Sequence, residues 1–211
     1  TKKLNPASFK IDRQLVKQIK NVMIIAHPDD ETLWAGDHIM KDRYLIICLT
    51  NGNNKIRKKE FEKAMELTGN YGIILNYPDN PKHVKNNWKK VKDPIRNDID
   101  YVLNYKKWDS IVTHNPDGEY GHIQHKFTSM IVTNECVKLG LTGKLEYFGK
   151  FYKTNYLLNH TIPGALDLQD AQAKENLMSE VYLSQGYAHR IFNHMVPYEK
   201  FIRYKDWYFG F

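Results

Sequence analysis

The sequence predicts an α/β protein, a three-layer sandwich built on a mainly parallel sheet. Three observations carry this. Apolar runs of strand length alternate with segments of helical spacing along the chain. No apolar run nears the roughly 20 residues of a membrane span. The longest, Tyr44 to Leu49, has the length of a strand. Hydrophobic residues make up 42% and charged residues 26% of the 211, which is near the globular average and excludes general disorder. That length fits one domain, 1–211, with its core over about residues 20–190 and an aromatic C-terminal tail.

The elements follow in order. Ile11, Leu15, Val16 and Ile19 have helical spacing over 10–20. Asn21 to Ala26 reads as a buried strand ending at His27-Pro28. Pro28 suits a first helical position, so Asp29, Asp30 and Glu31 fall in the first turn of a helix running to about Lys41. Tyr44 to Thr50 is a second strand, stopped by Asn51-Gly52-Asn53-Asn54. Lys58 to Leu67 is helical, with Gly69 beyond its end. Gly72 to Tyr77 is a third strand, followed by a Pro-Asp-Asn-Pro loop. Residues 95–107 form a helix, Ser110 to Thr113 a fourth strand, and His114 to Gly118 a loop. A helix over 122–139 places Ile123, Phe127, Met130, Ile131 and Val137 on one face, with Gly140 as its stop. Lys144 to Tyr152 is a fifth strand, and a helix spans about 166–183. The tail from Tyr187 to Phe211 has no assignment.

Charge and cysteine content narrow the partners. The 31 Lys+Arg against 24 Asp+Glu give +7, which favours anionic partners without choosing among them. Two cysteines, Cys48 and Cys136, make neither a disulfide framework nor a four-cysteine zinc site, and read as inert buried thiols. The first residue is Thr1, which raises the expectation that something upstream was trimmed. The expected compartment is the cytoplasm, with a processed secreted or anchored form as the alternative.

Parallel sheets bind ligands beyond the carboxyl ends of their strands. Here those are segments 27–31, 50–54, 77–81 and 114–122, and two of them carry unusual clusters. In Ala26-His27-Pro28-Asp29-Asp30-Glu31, the acidic residues have a plain reading as complements to a helix dipole. In Gly118-Glu119-Tyr120-Gly121-His122-Ile123-Gln124-His125, the histidines are three apart and share a helix face. Together the clusters set His27, Asp30, His122 and His125 around one mouth. Imidazoles with a carboxylate suit zinc, which in catalytic sites takes three protein ligands and keeps one position open. Asp29 is adjacent to a ligand but directed elsewhere, as a general base would be.

These residues resemble the LmbE-like (PIG-L-type) zinc N-deacetylases. His27-Pro-Asp-Asp-Glu31 after an apolar strand and Gly121-His-x-x-His125 after a later one carry the resemblance. Thr50-Asn-Gly52, Arg57-Lys-Lys-Glu60 and Tyr182-Leu-Ser-Gln185 add to it. It implies a Rossmann-like fold and a zinc-dependent hydrolase, with iron as the alternative ion in the cell. The enzyme would release acetate from an N-acetylglucosamine-type amino sugar or glycoconjugate, anionic ones included. His27, Asp30 and His125 would bind the metal, and Asp29 would be the base. His122 would hydrogen-bond the developing oxyanion or protonate the leaving amine. Tyr120 would aid the oxyanion, and Arg57 would meet the substrate. Many relatives carry an aspartate immediately before the second histidine that can steer and charge the first; here it is Gln124.

Other readings are weaker. A metal phosphoesterase often uses two metals. A non-catalytic basic protein binding nucleic acid or an anionic glycan leaves the cluster unexplained. No G-x-G-x-x-G follows the first strand, against a dinucleotide enzyme. His114 reads as structural. His189 and His194 read as packing or surface, Asp37 as solvated or capping, and His38, His83 and His160 have no sequence neighbours of interest.

Overall fold

The computed structural model describes residues 7–79 and 88–210. His83 and the second half of the Pro-Asp-Asn-Pro loop lie outside them. The chain runs α1 (Arg13–Val16), β1 (Asn21–Ile25), α2 (Asp30–Lys41), β2 (Tyr44–Thr50), α3 (Lys55–Thr68), β3 (Tyr71–Tyr77), α4 (Lys92–Tyr105), β4 (Ser110–Thr113) and α5 (Ile123–Leu139). It continues through β5 (Leu145–Phe148), α6 (Thr154–Leu157), α7 (Leu168–Val181), α8 (Gly186–Phe192), β6 (Phe201–Arg203) and α9 (Tyr204–Phe209).

The six strands lie in the order β3-β2-β1-β4-β5-β6. All neighbours are parallel except β5 and β6. The fold is therefore the three-layer, Rossmann-like α/β sandwich that the alternation predicts. Period-two alternation distributes each central strand between two cores. On β2, Leu45, Ile47 and Leu49 join Val22 and Ile24 in a core with α4 and α5 residues. Tyr44, Ile46 and Cys48 join Met23 and Ile25 in the other, with α2, α3 and α7 residues. Both faces are covered, so the strands are apolar throughout. The chain leaves β1 toward β2 and β3, then returns to place β4 on its other side. The crevice opened by that reversal lies beyond the carboxyl ends of β1 and β4, where His27 and His114 stand.

Several boundaries differ from expectation. The first helix is one turn, Arg13–Val16, capped by Asp12. Helix α3 begins at Lys55, because the Asn54 side chain caps the N–H groups of Ile56 and Arg57. Strand β5 is only Leu145–Phe148. The unassigned tail supplies α8, the antiparallel strand β6 and α9. The face assigned to α5 is wrong in part: Ile123, Met130 and Val137 are exposed, while Gln124, His125, Thr128, Ser129, Thr133 and Glu135 are buried. That helix buries a largely hydrogen-bonded polar face, which a search for apolar periodicity does not detect. No helix among the described residues is long and apolar enough to cross a membrane.

Candidate metal centre

Pro28 does not open α2, contrary to the sequence reading. The helix starts at Asp30, and Asp29 precedes it with φ 111° and no side-chain capping bond. A non-glycine residue there is strained, and such strain concentrates at functional sites. The bend keeps the Asp29 carboxylate out of the helix cap and in the wall of a cavity of ≈ 170 Å³. The Asp30 carboxylate turns back, with Oδ2 accepting the His27 backbone N–H at 2.7 Å.

The second wall comes from the loop after β4. Gly118 has φ +66°, and a Cβ there would sit 2.6 Å from the His122 carbonyl oxygen, so the turn requires glycine. Glu119 also has positive φ (53°). Its buried carboxylate takes the Nδ1 of both His114 (2.9 Å) and His125 (2.6 Å). His122 is the N-cap of α5 rather than a residue within it, and its Nδ1 accepts the Gln124 N–H at 3.2 Å. The rings of His122 and His125 still approach to 4.5 Å.

His27 Nδ1 lies 3.1 Å from His125 Nε2. Asp30 is 3.3 Å from each of those nitrogens, through Oδ2 to His27 and Oδ1 to His125. Metal–ligand bonds of about 2.0–2.2 Å in a tetrahedron separate ligand atoms by about 3.3–3.6 Å; the two Asp30 spacings meet the short end and the 3.1 Å between the rings is slightly under it, so a small outward shift of one ring would seat a shared ion. The far nitrogens are committed elsewhere: His27 Nε2 donates to Gln124 Oε1 at 2.8 Å and His125 Nδ1 to Glu119. With both rings neutral, two imidazole lone pairs would face each other beside a carboxylate, an arrangement that suits a cation. His114 stacks on His125 at 3.9 Å, but its nitrogens are taken by Glu119 and the Ala26 N–H. Among the described residues, donor atoms of His27, His122 and His125, and of Asp30, His114 and His125, also cluster within 4.8 Å.

The electrostatics agree with that need. Burial opposes charge on His27, but Asp30 and Asp79 outweigh it and lift the ring to about 10, so a cation held there would displace a proton from Nδ1. Burial also opposes charge on Asp30, yet His125 and His114 hold it well below the usual carboxylate range. Asp29 is pushed up to about 8 by burial, with Arg57 opposing and Asp30 adding. Burial, with His125 and His27 beside it, lowers His122 to about 3, so its ring is neutral.

The remaining anticipated residues also converge. Arg57 donates to the Pro28 carbonyl at 2.7 Å and lies 3.4 Å from both Asp29 and Asp79. Tyr120 lines the cavity and packs on Phe192 of α8 with ring centroids 4.4 Å apart. Gln185 also lines the cavity, and the neighbouring Ser184 is bound to Glu60 through both backbone and hydroxyl. The Tyr182 hydroxyl donates to buried Glu31. Sequence reasoning gave Glu119 and Asp79 no role, and favoured a structural role for His114 over lining the site. Their position beyond the carboxyl ends of β3 and β4 was the available signal.

The class follows from fold and site: a doubly covered parallel sheet with a buried His/Asp cluster able to hold a metal at its switch point. The chain belongs to the PIG-L family, whose model, described as GlcNAc-PI de-N-acetylase, matches residues 22–136. It is 34% identical over 128 residues to uncharacterized protein L374 of Acanthamoeba polyphaga mimivirus, covering 53% of this chain and 55% of that one. The chain thus spans about half the length of that curated relative. The crystal structure of conserved protein TT1542 from Thermus thermophilus has a similar fold (TM-score 0.50, 16% identity, covering 88% of this chain and 94% of that one).

Proposed function

We propose that this chain is a metal-dependent N-deacetylase, its described residues acting as a single domain on an N-acetylglucosamine-type conjugate. Family membership supports the reaction class. One observation carries the reading: His27 Nδ1 and His125 Nε2 oppose each other at 3.1 Å beside Asp30, each ring having spent its other N–H. His27, Asp30 and His125 would hold the ion. Two imidazoles and a carboxylate suit zinc, with iron as the cellular alternative. Such an ion, when bound, polarises a carbonyl and lowers the pKa of water to about 7.

The chain's own groups do the rest. Asp29 takes the attacking water's proton on its carboxylate and returns it to the leaving nitrogen, a general acid–base contribution of roughly 10²–10⁴-fold. His122 accepts at Nδ1, so its proton is on Nε2, and the neutral ring donates that N–H to the developing oxyanion. This favours the oxyanion role over protonation of the amine. The Tyr120 hydroxyl is a second donor from the rim. Arg57 meets anionic or hydroxyl groups of the sugar conjugate at the mouth. The carbonyl carbon gains the water oxygen, the C–N bond breaks, and acetate and a free amine leave.

Metal content and acetate release should be measured together on a panel of N-acetylglucosamine conjugates. Asp29→Ala should keep its metal and lose roughly 10²–10⁴-fold in rate, while His27→Ala should lose the metal. An Asp29→Ala protein as active as the wild type ends the base assignment.

A further inference from the structure

We infer that Gln124 is a positioning residue for metal binding: its side-chain amide locks His27 in the tautomer whose Nδ1 is free to ligate. This rests on the metal-site reading above and deepens it.

The geometry allows one arrangement of the amide. Gln124 is fully buried. Its Oε1 lies 2.8 Å from His27 Nε2, and its Nε2 donates to the Pro78 carbonyl at 2.8 Å. A flipped amide would set its oxygen against the Pro78 carbonyl oxygen, acceptor facing acceptor, so the Pro78 bond fixes which end meets the histidine. The His27 Nε2 must then carry hydrogen, so once a cation displaces the other ring proton, Nδ1 is the nitrogen that ligates beside Asp30 and His125. Asp79 Oδ1 is the competing acceptor, but it stands 3.4 Å from the same nitrogen, and its other oxygen serves Asn51 at 2.9 Å. The backbone of Gln124 extends the same control, its N–H going to His122 Nδ1 and its carbonyl accepting the Thr128 hydroxyl at 2.8 Å. One residue thus sets the tautomers of His27 and His122 and ties both to the end of β3.

The residue type has a physical reason. Asp29, Asp30, Glu31 and Glu119 are already buried around the site. A further enclosed carboxylate would add repulsion among them, whereas an amide orients the imidazole without adding charge. The Gln124 side chain therefore reaches His27 rather than His122, the partner that the resemblance implied for this position.

The test is Zn²⁺ affinity of the metal-stripped protein, read by competition with a chromophoric chelator, with melting temperature as the control for folding. Gln124→Met keeps the volume and removes the acceptor. It should weaken Zn²⁺ binding roughly 10–100-fold, the usual effect of losing a partner behind a metal-bound histidine. Histidine ¹⁵N NMR of the Zn²⁺-bound wild type should place the His27 hydrogen on Nε2, the nitrogen facing Gln124 Oε1. A folded Gln124→Met protein with wild-type affinity overturns the inference while leaving the metal site intact. So does a Zn²⁺-bound wild type whose His27 hydrogen sits on Nδ1, a measurement that decides the matter should Gln124→Met fail to fold. A wild-type protein that binds no Zn²⁺ overturns both this inference and the reading beneath it.

Discussion

Glu199 supports the deepest stability prediction. Its side chain is fully enclosed, and Oε2 meets Lys174 Nζ at 2.9 Å and the Asp37 N–H at 3.1 Å. Oε1 takes the His38 N–H at 2.8 Å and the His38 ring. Helix α2 is broken at Ala35 (φ −145°, ψ 23°), and Glu199 caps the N–H groups of the segment that restarts beyond the break. Gly36 lets Lys174 pass, since a Cβ there would sit 2.7 Å from the lysine's Cγ. Burial raises the carboxyl's proton affinity, but Lys174 and His38 outweigh it and bring Glu199 to about 2 from an ordinary 4.5. That difference corresponds to roughly 3 kcal/mol of stability at neutral pH. Leaving a buried partner charge uncompensated costs about 3–5 kcal/mol by a separate route. Glu199→Gln should therefore lose about 3 kcal/mol, which for a chain of this size lowers the melting temperature by roughly 6–12 °C.

Chemical denaturation of wild type and Glu199→Gln measures the gap. Because the folded pKa lies below the unfolded one, the contribution is fully present above about pH 4.5 and disappears as pH falls through about 2. The gap should close over that window. Replacing the pair together, as Glu199→Gln with Lys174→Met, should recover more than half of the loss, because an acceptor for the α2 N–H groups remains and no charge is left buried alone. A Glu199→Gln protein within about 1 kcal/mol of wild type at neutral pH, or a gap that ignores pH between about 5 and 2, refutes the argument.

Other expectations follow from the same contacts. Glu119→Gln should weaken Zn²⁺ binding roughly 10–100-fold, since Glu119 orients His125 and braces His114 behind it; unchanged affinity in a titration would remove Glu119 from the site's support. Tyr182→Phe takes a donor from buried Glu31, leaving Thr32 Oγ1 at 2.8 Å as a remaining one. It should cost about 1–3 kcal/mol in denaturation midpoint measurements, and a loss below about 0.5 would mean the carboxylate is satisfied without it. Tyr120→Phe should lower kcat with little change in KM if its hydroxyl serves the oxyanion; a KM effect alone would move it to substrate binding.

Much of this architecture could be read from residue order. The apolar runs at 21–25, 44–50 and 110–113 are strands because both sheet faces are covered there, and burial on two sides leaves a local apolar signal; the edge strand at 71–77 is only half-buried. The glycines at 69 and 140 end helices with φ +70°, as glycine at those positions foretells. Where reading failed, the cause was contact between distant segments. The buried face of α5 is polar, satisfied in part by groups outside the helix such as Pro78 and Tyr147. The tail could not be assigned because β6 exists only by pairing with β5. Asp37 proved buried and paired with Lys41, and His38 found Glu199.

The candidate site divides the same way. Residue spacing alone nominated His27, Asp29, Asp30, His122 and His125, because a chemical cluster at a strand end depends on local order and on the rule that parallel sheets open at their carboxyl ends. Tertiary structure alone decided which nitrogen each ring turns inward, that Asp29 stands apart from the helix cap, and that the Gln124 side chain meets His27 while only its backbone meets His122. Those contacts join segments far apart in the chain, such as His27 and Gln124. A hydrogen bond tolerates only a narrow range of distance and angle, and the packed sheet alone brings such segments within that reach.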